Sequence, residues 1–311
     1  MMKLYQVIIF ILLTGIFAAG CTPSESEKNS NTDLKIYTSL YPIQYAVERI
    51  GNQSIETESV YPPGVDAHTY EPSSREMTSI AEGDAFIYLG AGMEGFAETA
   101  AQALDSQDIA LIELGEDEKL FHDEPSDNDT HDQAGHHHDH NPHIWLDPVR
   151  MIDMADTIKD RLIDLNPKKS GQYTENFNAL KDDLLTLDEQ FRKTLETKKS
   201  KKILVSHAAY GYWEERYGIK QIAISGLSSS EEPSQKDLTK IIDQARKYNM
   251  DYILFEQNTS DHVSEIIQNQ IGAKSLSIHN LAVLTDADIE NGEDYLSLMN
   301  HNLEVLDQAT E

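Results

Sequence analysis

Three histidines occupy positions at which an α/β protein builds sites. His68 follows a strand-like run ending at Tyr61 and opens His68-Thr-Tyr-Glu-Pro72, while His143 lies in Asn141-Pro-His-Ile-Trp-Leu-Asp-Pro148. His207 directly follows Lys202-Ile-Leu-Val-Ser206. The crevice beyond the carboxyl ends of the strands is where such sheets receive ligands. Taken singly, a histidine so placed is more often a hydrogen-bonded structural group; the joint placement points to a shared metal ion in a cleft. Neutral imidazole is a borderline-soft donor that suits zinc at about 2.0–2.1 Å, and tetrahedral geometry asks for one further ligand. Magnesium and calcium want oxygen donors. Manganese also prefers more oxygen than three imidazoles offer, whereas copper and nickel stay compatible by ligand type alone. Because a ligand imidazole must be neutral, binding is expected to weaken as pH falls through about 6.5.

The elements that must position these residues follow an alternating rhythm. Short β-like runs at residues 34–40, 55–61, 85–89 and 109–114 are separated by helical segments after Pro42, after Ser73 and around 95–104. The rhythm resumes at 203–206, 219–225, 252–256 and 275–278, with helices after each. This predicts parallel βαβ units. Between them, residues 148–195 are helical with a break at Asn166-Pro167. Phe177, Leu180, Leu184, Leu187, Phe191 and Leu195 trace one helix face at steps of three and four. The predicted fold is α/β: two lobes, each with a small parallel sheet flanked by helices, joined by a long rigid helix. The expected boundaries are an N-terminal lobe at 34–166, a linking helix at 167–199 and a C-terminal lobe at 200–311.

The remaining segments are polar or apolar throughout and set compartment rather than fold. Lys3, an apolar run at 7–13 and Ala18-Ala19-Gly20 before Cys21 make residues 1–20 an expected signal peptide. Cys21, the only cysteine, sits as in a bacterial lipobox and is the expected lipidation site, with 21–33 as a tether to the extracytoplasmic face of the cell membrane. Fifty-four acids against 25 lysines and arginines give a formal charge of −29. That balance argues against nucleic acid and allows a cation ligand. A loop at 115–142 carries six histidines and six acids between residues 122 and 140. His131, His136, His137, His138 and His140 are expected to be an accessory metal-gathering group on a solvated loop.

The flanking residues resemble the zinc-specific substrate-binding lipoproteins of bacterial ABC importers, the cluster A solute-binding proteins. The matching stretches are Tyr37-Thr-Ser-Leu-Tyr-Pro42, Gly64-Val-Asp-Ala-His-Thr-Tyr-Glu-Pro72, Asn141 to Pro148, Ser206-His-Ala-Ala-Tyr-Gly-Tyr212 and Ile224-Ser-Gly-Leu-Ser228 running on to Glu232-Pro233. They occur in the family's order from about residue 34 onwards. The resemblance implies a monomeric extracytoplasmic protein that binds Zn2+ as transported ligand through His68, His143 and His207 and delivers it to the membrane permease of an ABC importer. It departs at Ala282, where many zinc members carry a glutamate. The fourth ligand is then a water, His279, Asp286 or a loop histidine.

Two other readings follow from the same residues. Three histidines plus water is also a catalytic arrangement, but the chain has no His-Glu-x-x-His helix and no Gly-x-Ser-x-Gly elbow. A surface zinc buffer or adhesin needs no importer. Tyr70, Trp145, Tyr210 and Trp213 are candidates to wall the cleft. Glu71, Asp147, Glu232 and Glu256 are candidates to orient a ligand ring through its second nitrogen, with packing and capping as their ordinary roles.

Overall fold

The computed structural model describes residues 33–121, 140–228, 233–257 and 262–310. The expected signal peptide, Cys21, and His131, His136, His137 and His138 lie outside the described residues.

The chain runs β1 (Leu34–Thr38), α1 (Tyr41–Gly51), β2 (Ile55–Ser59), α2 (Ser74–Ala81), β3 (Ala85–Tyr88), α3 (Ala97–Leu104) and β4 (Ala110–Glu113). All pairings are parallel, in the order β2-β1-β3-β4. Then come α4 (Pro148–Leu165) and α5 (Ser170–Glu196). The second half continues β5 (Lys202–Val205), α6 (Gly211–Tyr217), β6 (Lys220–Ala223), α7 (Gln235–Lys247), β7 (Tyr252–Glu256), α8 (His262–Ile271), β8 (Lys274–Ile278), α9 (Asp286–Asn291) and α10 (Tyr295–Ala309). Its sheet repeats the parallel arrangement as β6-β5-β7-β8. In each sheet the strand order reverses between the first and third strands, which opens a crevice at their carboxyl ends.

Local chemistry fixes the helices. Pro42 starts α1, whose Ile43, Ala46, Val47 and Ile50 are fully buried at helical spacing. Ser73 and Glu76 close a capping box on α2. The Asp147 carboxylate accepts from the Val149 amide and caps α4, which stops at Asn166 before Pro167. After one 3-10 turn at Pro167–Lys169, α5 runs for 27 residues, about 40 Å.

The face of α5 bearing Phe177, Leu180, Leu184, Leu187, Phe191 and Leu195 is buried against α1 and α4 on one side and α10 on the other. One hydrophobic cluster therefore runs from Ile36 and Phe86 in the first sheet through α5 to Trp213 and Tyr295. A smaller cluster around Leu204, Ile241, Ile253 and Ile267 serves the second sheet with α7 and α8. The linking helix is thus a shared core element as well as a strut. Among the described residues, no helix is long and apolar enough to cross a membrane.

Candidate metal centre

Two of the three histidines are presented by the same local device. In Asp66-Ala-His68 the His68 amide donates to Asp66 Oδ1 at 2.9 Å, and in Asn141-Pro-His143 the His143 amide donates to Asn141 Oδ1 at 3.0 Å. These are Asx turns, in which a short polar side chain bonds the backbone two residues on. A third such turn, Asn280-Leu-Ala282, brings the Ala282 amide to Asn280 Oδ1 at 3.0 Å. Its central residue Leu281 is fully buried at φ 60°, a left-handed conformation that is costly for a branched side chain. His207 is held differently: it follows β5 directly, and its neighbours Ser206 and Ala208 donate to Leu254 and Gly226 carbonyls at 3.2 and 2.9 Å.

The rings converge. One nitrogen from each of His68, His143 and His207 lies within 4.8 Å of the others, the only group of this kind among the described residues. His143 Nε2 and His207 Nε2 are 3.3 Å apart. Two of the opposite nitrogens face outward partners. His143 Nδ1 is 2.8 Å from Asn141 Oδ1, and His207 Nδ1 is 2.5 Å from Glu256 Oε1. The His68 Nε2 is buried and has no hydrogen-bond partner. Glu256 is itself fixed by Tyr210 Oη at 3.2 Å and Asn280 Nδ2 at 2.7 Å.

These partners set the protonation states. An amide oxygen or carboxylate facing Nδ1 selects the Nδ1–H tautomer and leaves Nε2 as a lone-pair donor. His143 and His207 then present two acceptors to each other at 3.3 Å, an arrangement that calls for a cation between them. Burial pushes His68 below the usual imidazole range, and burial with the two neighbouring rings pushes His143 well below it. At His207 burial works the same way, but the adjacent Glu256 carboxylate outweighs it and holds the ring above the usual value.

The rings open onto a cavity of about 40 Å³, also lined by Asp66, Met93, Glu256, Ala282 and Val283. His279 is not part of that lining: its Nδ1 accepts from the Leu281 amide at 2.9 Å and its Nε2 sits 3.1 Å from Asp288 Oδ2. Asp286 is exposed at the start of α9 and also lies outside the lining. Both are therefore displaced as fourth ligands by local geometry. His140, the only member of the expected accessory group among the described residues, stacks on Phe121 with its Nε2 3.4 Å from Glu118. Of the four acids named as candidates to orient a ring, Glu256 touches a ligand ring, Glu71 is exposed and Asp147 faces Arg216 instead; Glu232 lies outside the described residues. Asn141, Met93 and Asn280 were not singled out by the sequence, although Asx at two residues before each turn position is a usable signal.

The chain is similar to known zinc-binding proteins. Residues 36–309 match the family model described as zinc-uptake complex component A, periplasmic (ZnuA). The chain is similar to the zinc-binding lipoprotein AdcA of Streptococcus pneumoniae, 32% identical over 306 residues, covering 97% of this chain and 61% of that protein. It is 26% identical over 311 residues to the high-affinity zinc uptake system protein ZnuA of Bacillus subtilis, covering 98% of each. Among solved structures it resembles the Zn(II)-bound ZnuA-like domain of S. pneumoniae AdcA, with a TM-score of 0.73 and 30% identity over 89% of this chain and 99% of that one. It also resembles the laminin-binding protein Lmb of Streptococcus agalactiae, with a TM-score of 0.75 and 27% identity over 89% and 99% of the two chains. The chain spans about three fifths of the length of the AdcA relatives it matches. On the match over residues 36–309, the chain belongs to the zinc-uptake complex component A family.

Proposed function

We propose that this protein captures Zn2+ outside the cytoplasm with His68, His143 and His207 and delivers it to the permease of an ABC importer, the metal being cargo. The observation that carries the reading is the convergence of three imidazoles, two of which turn their second nitrogens to Asn141 and Glu256. Two nitrogens at about 2.0–2.1 Å from a tetrahedral zinc stand about 3.3 Å apart, the His143–His207 spacing. A cavity of about 40 Å³ has room for a water as fourth ligand, since one water needs only about 10–15 Å³. Ala282 offers no donor there. Cys21 directly after Ala18-Ala19-Gly20 and the word lipoprotein in the name of AdcA support anchoring to the outer face of the membrane through a lipid on Cys21. The lobes run 34–166 and 200–311 about the 167–199 connector, the protein acts as a monomer, and the histidine loop gathers zinc without being required for the tight site.

The solved structure of Lmb carries the description of a bifunctional protein with adhesin and metal transporting activity, which keeps a surface adhesin as the second reading. Deletion of the gene in zinc-limited medium separates the two. Lost growth restored by added zinc supports import, and unimpaired growth contradicts it.

A further inference from the structure

His143 precedes the linking helix in sequence, yet its segment is bonded to the lobe that follows it. Tyr212 Oη of α6 donates to the Asn141 carbonyl and Trp213 Nε1 to the Leu146 carbonyl, each at 2.6 Å. Tyr295 Oη of α10 donates to the Trp145 carbonyl at 2.6 Å, and Trp145 Nε1 donates to the Asn280 carbonyl at 2.8 Å. Arg216 of α6 completes the set. Its Nε lies 3.3 Å from Asp147 and 2.5 Å from Asp188 of α5. The Trp213 and Tyr295 bonds are buried and form away from water, where an unmade one is costly. Arg150 reaches the other way, from α4 to Glu215 at 3.0 Å, with its guanidinium over the Tyr212 ring.

The turn that carries His68 is held mainly from its own side. Tyr61 Oη donates to the Ala67 carbonyl at 2.8 Å and Asp66 caps the turn, while Gly64 reaches across to the Leu284 carbonyl at 2.9 Å. The ring centres reflect this division: His143 and His207 are 5.1 Å apart, but His68 stands 5.4 and 6.1 Å from them.

We propose that the clasp formed by Tyr212, Trp213 and Arg216 makes His143 move with the second lobe, so that His143 and His207 stand as a ready-made pair and His68 joins or leaves as the ion is taken up or handed on. Tyr212, Trp213 and Arg216 are positioning residues, acting through His143. This rests on the three-histidine zinc reading above. It locates the change at one ligand: the stiff part of the site crosses the lobe boundary, and the compliant part is the His68 turn.

The test is a thermodynamic cycle on the full chain. Zinc affinity is measured by chelator competition, and Co2+ absorption reports ligand geometry, for Tyr212→Phe, Arg216→Gln and Arg216→Lys. Each is made alone and combined with His68→Ala or His143→Ala. Thermal unfolding of the zinc-free proteins reports folding separately. Tyr212→Phe and Arg216→Gln are expected to weaken zinc about tenfold in the parent and in the His68→Ala background. Arg216→Lys is expected to recover part of the loss, and neither change should weaken zinc further once His143 is alanine. An equal loss in the His143→Ala background, or lowered stability with unchanged affinity and Co2+ spectrum, overturns the clasp and leaves the zinc site standing. Parent-like zinc binding by His143→Ala overturns the site reading itself, and the clasp with it. Tyr212→Phe removes one hydroxyl from a packed ring, which keeps the test decisive if Arg216→Gln fails to fold.

Discussion

The Nε2 atoms of His143 and His207 face each other across 3.3 Å while their Nδ1 atoms are turned to Asn141 and Glu256. That spacing matches one edge of a zinc coordination tetrahedron, from residues 64 positions apart in the chain. Holding two lone pairs together costs free energy that only a cation, or a proton in its place, offsets.

That competition has a direction in pH. His207 is held above the usual imidazole value, whereas His68 and His143 lie below it. On acidification His207 therefore charges first. Zinc affinity should begin to fall from somewhat above pH 6.5, by about tenfold per unit, and more steeply once His68 also titrates. In zinc-free protein the two depressed rings contribute stability that is present above pH 6.5 and lost as pH falls, opposed by His207. Isothermal titration from pH 5 to 8 checks the binding half, and a flat profile contradicts it.

Glu256→Gln keeps an acceptor for His207 Nδ1 but removes the charge that raises its pKa. Zinc binding should weaken by about tenfold at pH 7.5, while its acid midpoint moves to lower pH. Affinity measured on both sides of pH 6.5 distinguishes this from simple damage, in which the midpoint stays in place.

Ala282→Glu places a carboxylate in the cavity at the position presented by the third Asx turn. The burial of an uncompensated charge should lower the zinc-free melting temperature. With zinc the carboxylate becomes a ligand, so the stabilisation conferred by the ion should exceed that of the parent. Scanning calorimetry with and without zinc reads both, and an unchanged zinc increment counts against the water-ligand assignment.

Leu184→Ala, in the fully buried stripe of α5, should cost about 3 kcal/mol of stability. Because α5 lies away from the rings, zinc affinity of the folded protein should stay within about twofold. Denaturant unfolding and chelator competition on the same sample provide the two numbers.

Much of this was readable in the chain. The near-continuous apolar runs of Ala85–Tyr88 and Tyr252–Glu256 are what a parallel strand covered on both faces requires, and the α5 stripe was visible from its spacing. Strand ends were read one to two residues too long, as at Leu40 and Ser225. There the backbone leaves the ladder to form the crevice. His68, His143 and His207 stood out because each follows a strand or an Asn-Pro turn. Among the outward partners, Glu256 is one of four candidate acids in the sequence, and nothing in the chain separates it from Glu71, Asp147 and Glu232. It lies 49 residues beyond His207, and the two meet only when β5 and β7 pair. Tyr212 lies 71 beyond Asn141, a pairing that exists only once the two halves of the chain are folded together.

The central claim is tested most directly by zinc stoichiometry and affinity of the chain from residue 33 onward, beside the same chain with His68, His143 and His207 all changed to alanine and one lacking residues 122–139. One tight zinc in the parent and in the loop deletion, lost in the triple variant, is the expected result. Tight binding that survives the triple change and disappears with the loop would contradict the assignment of the site.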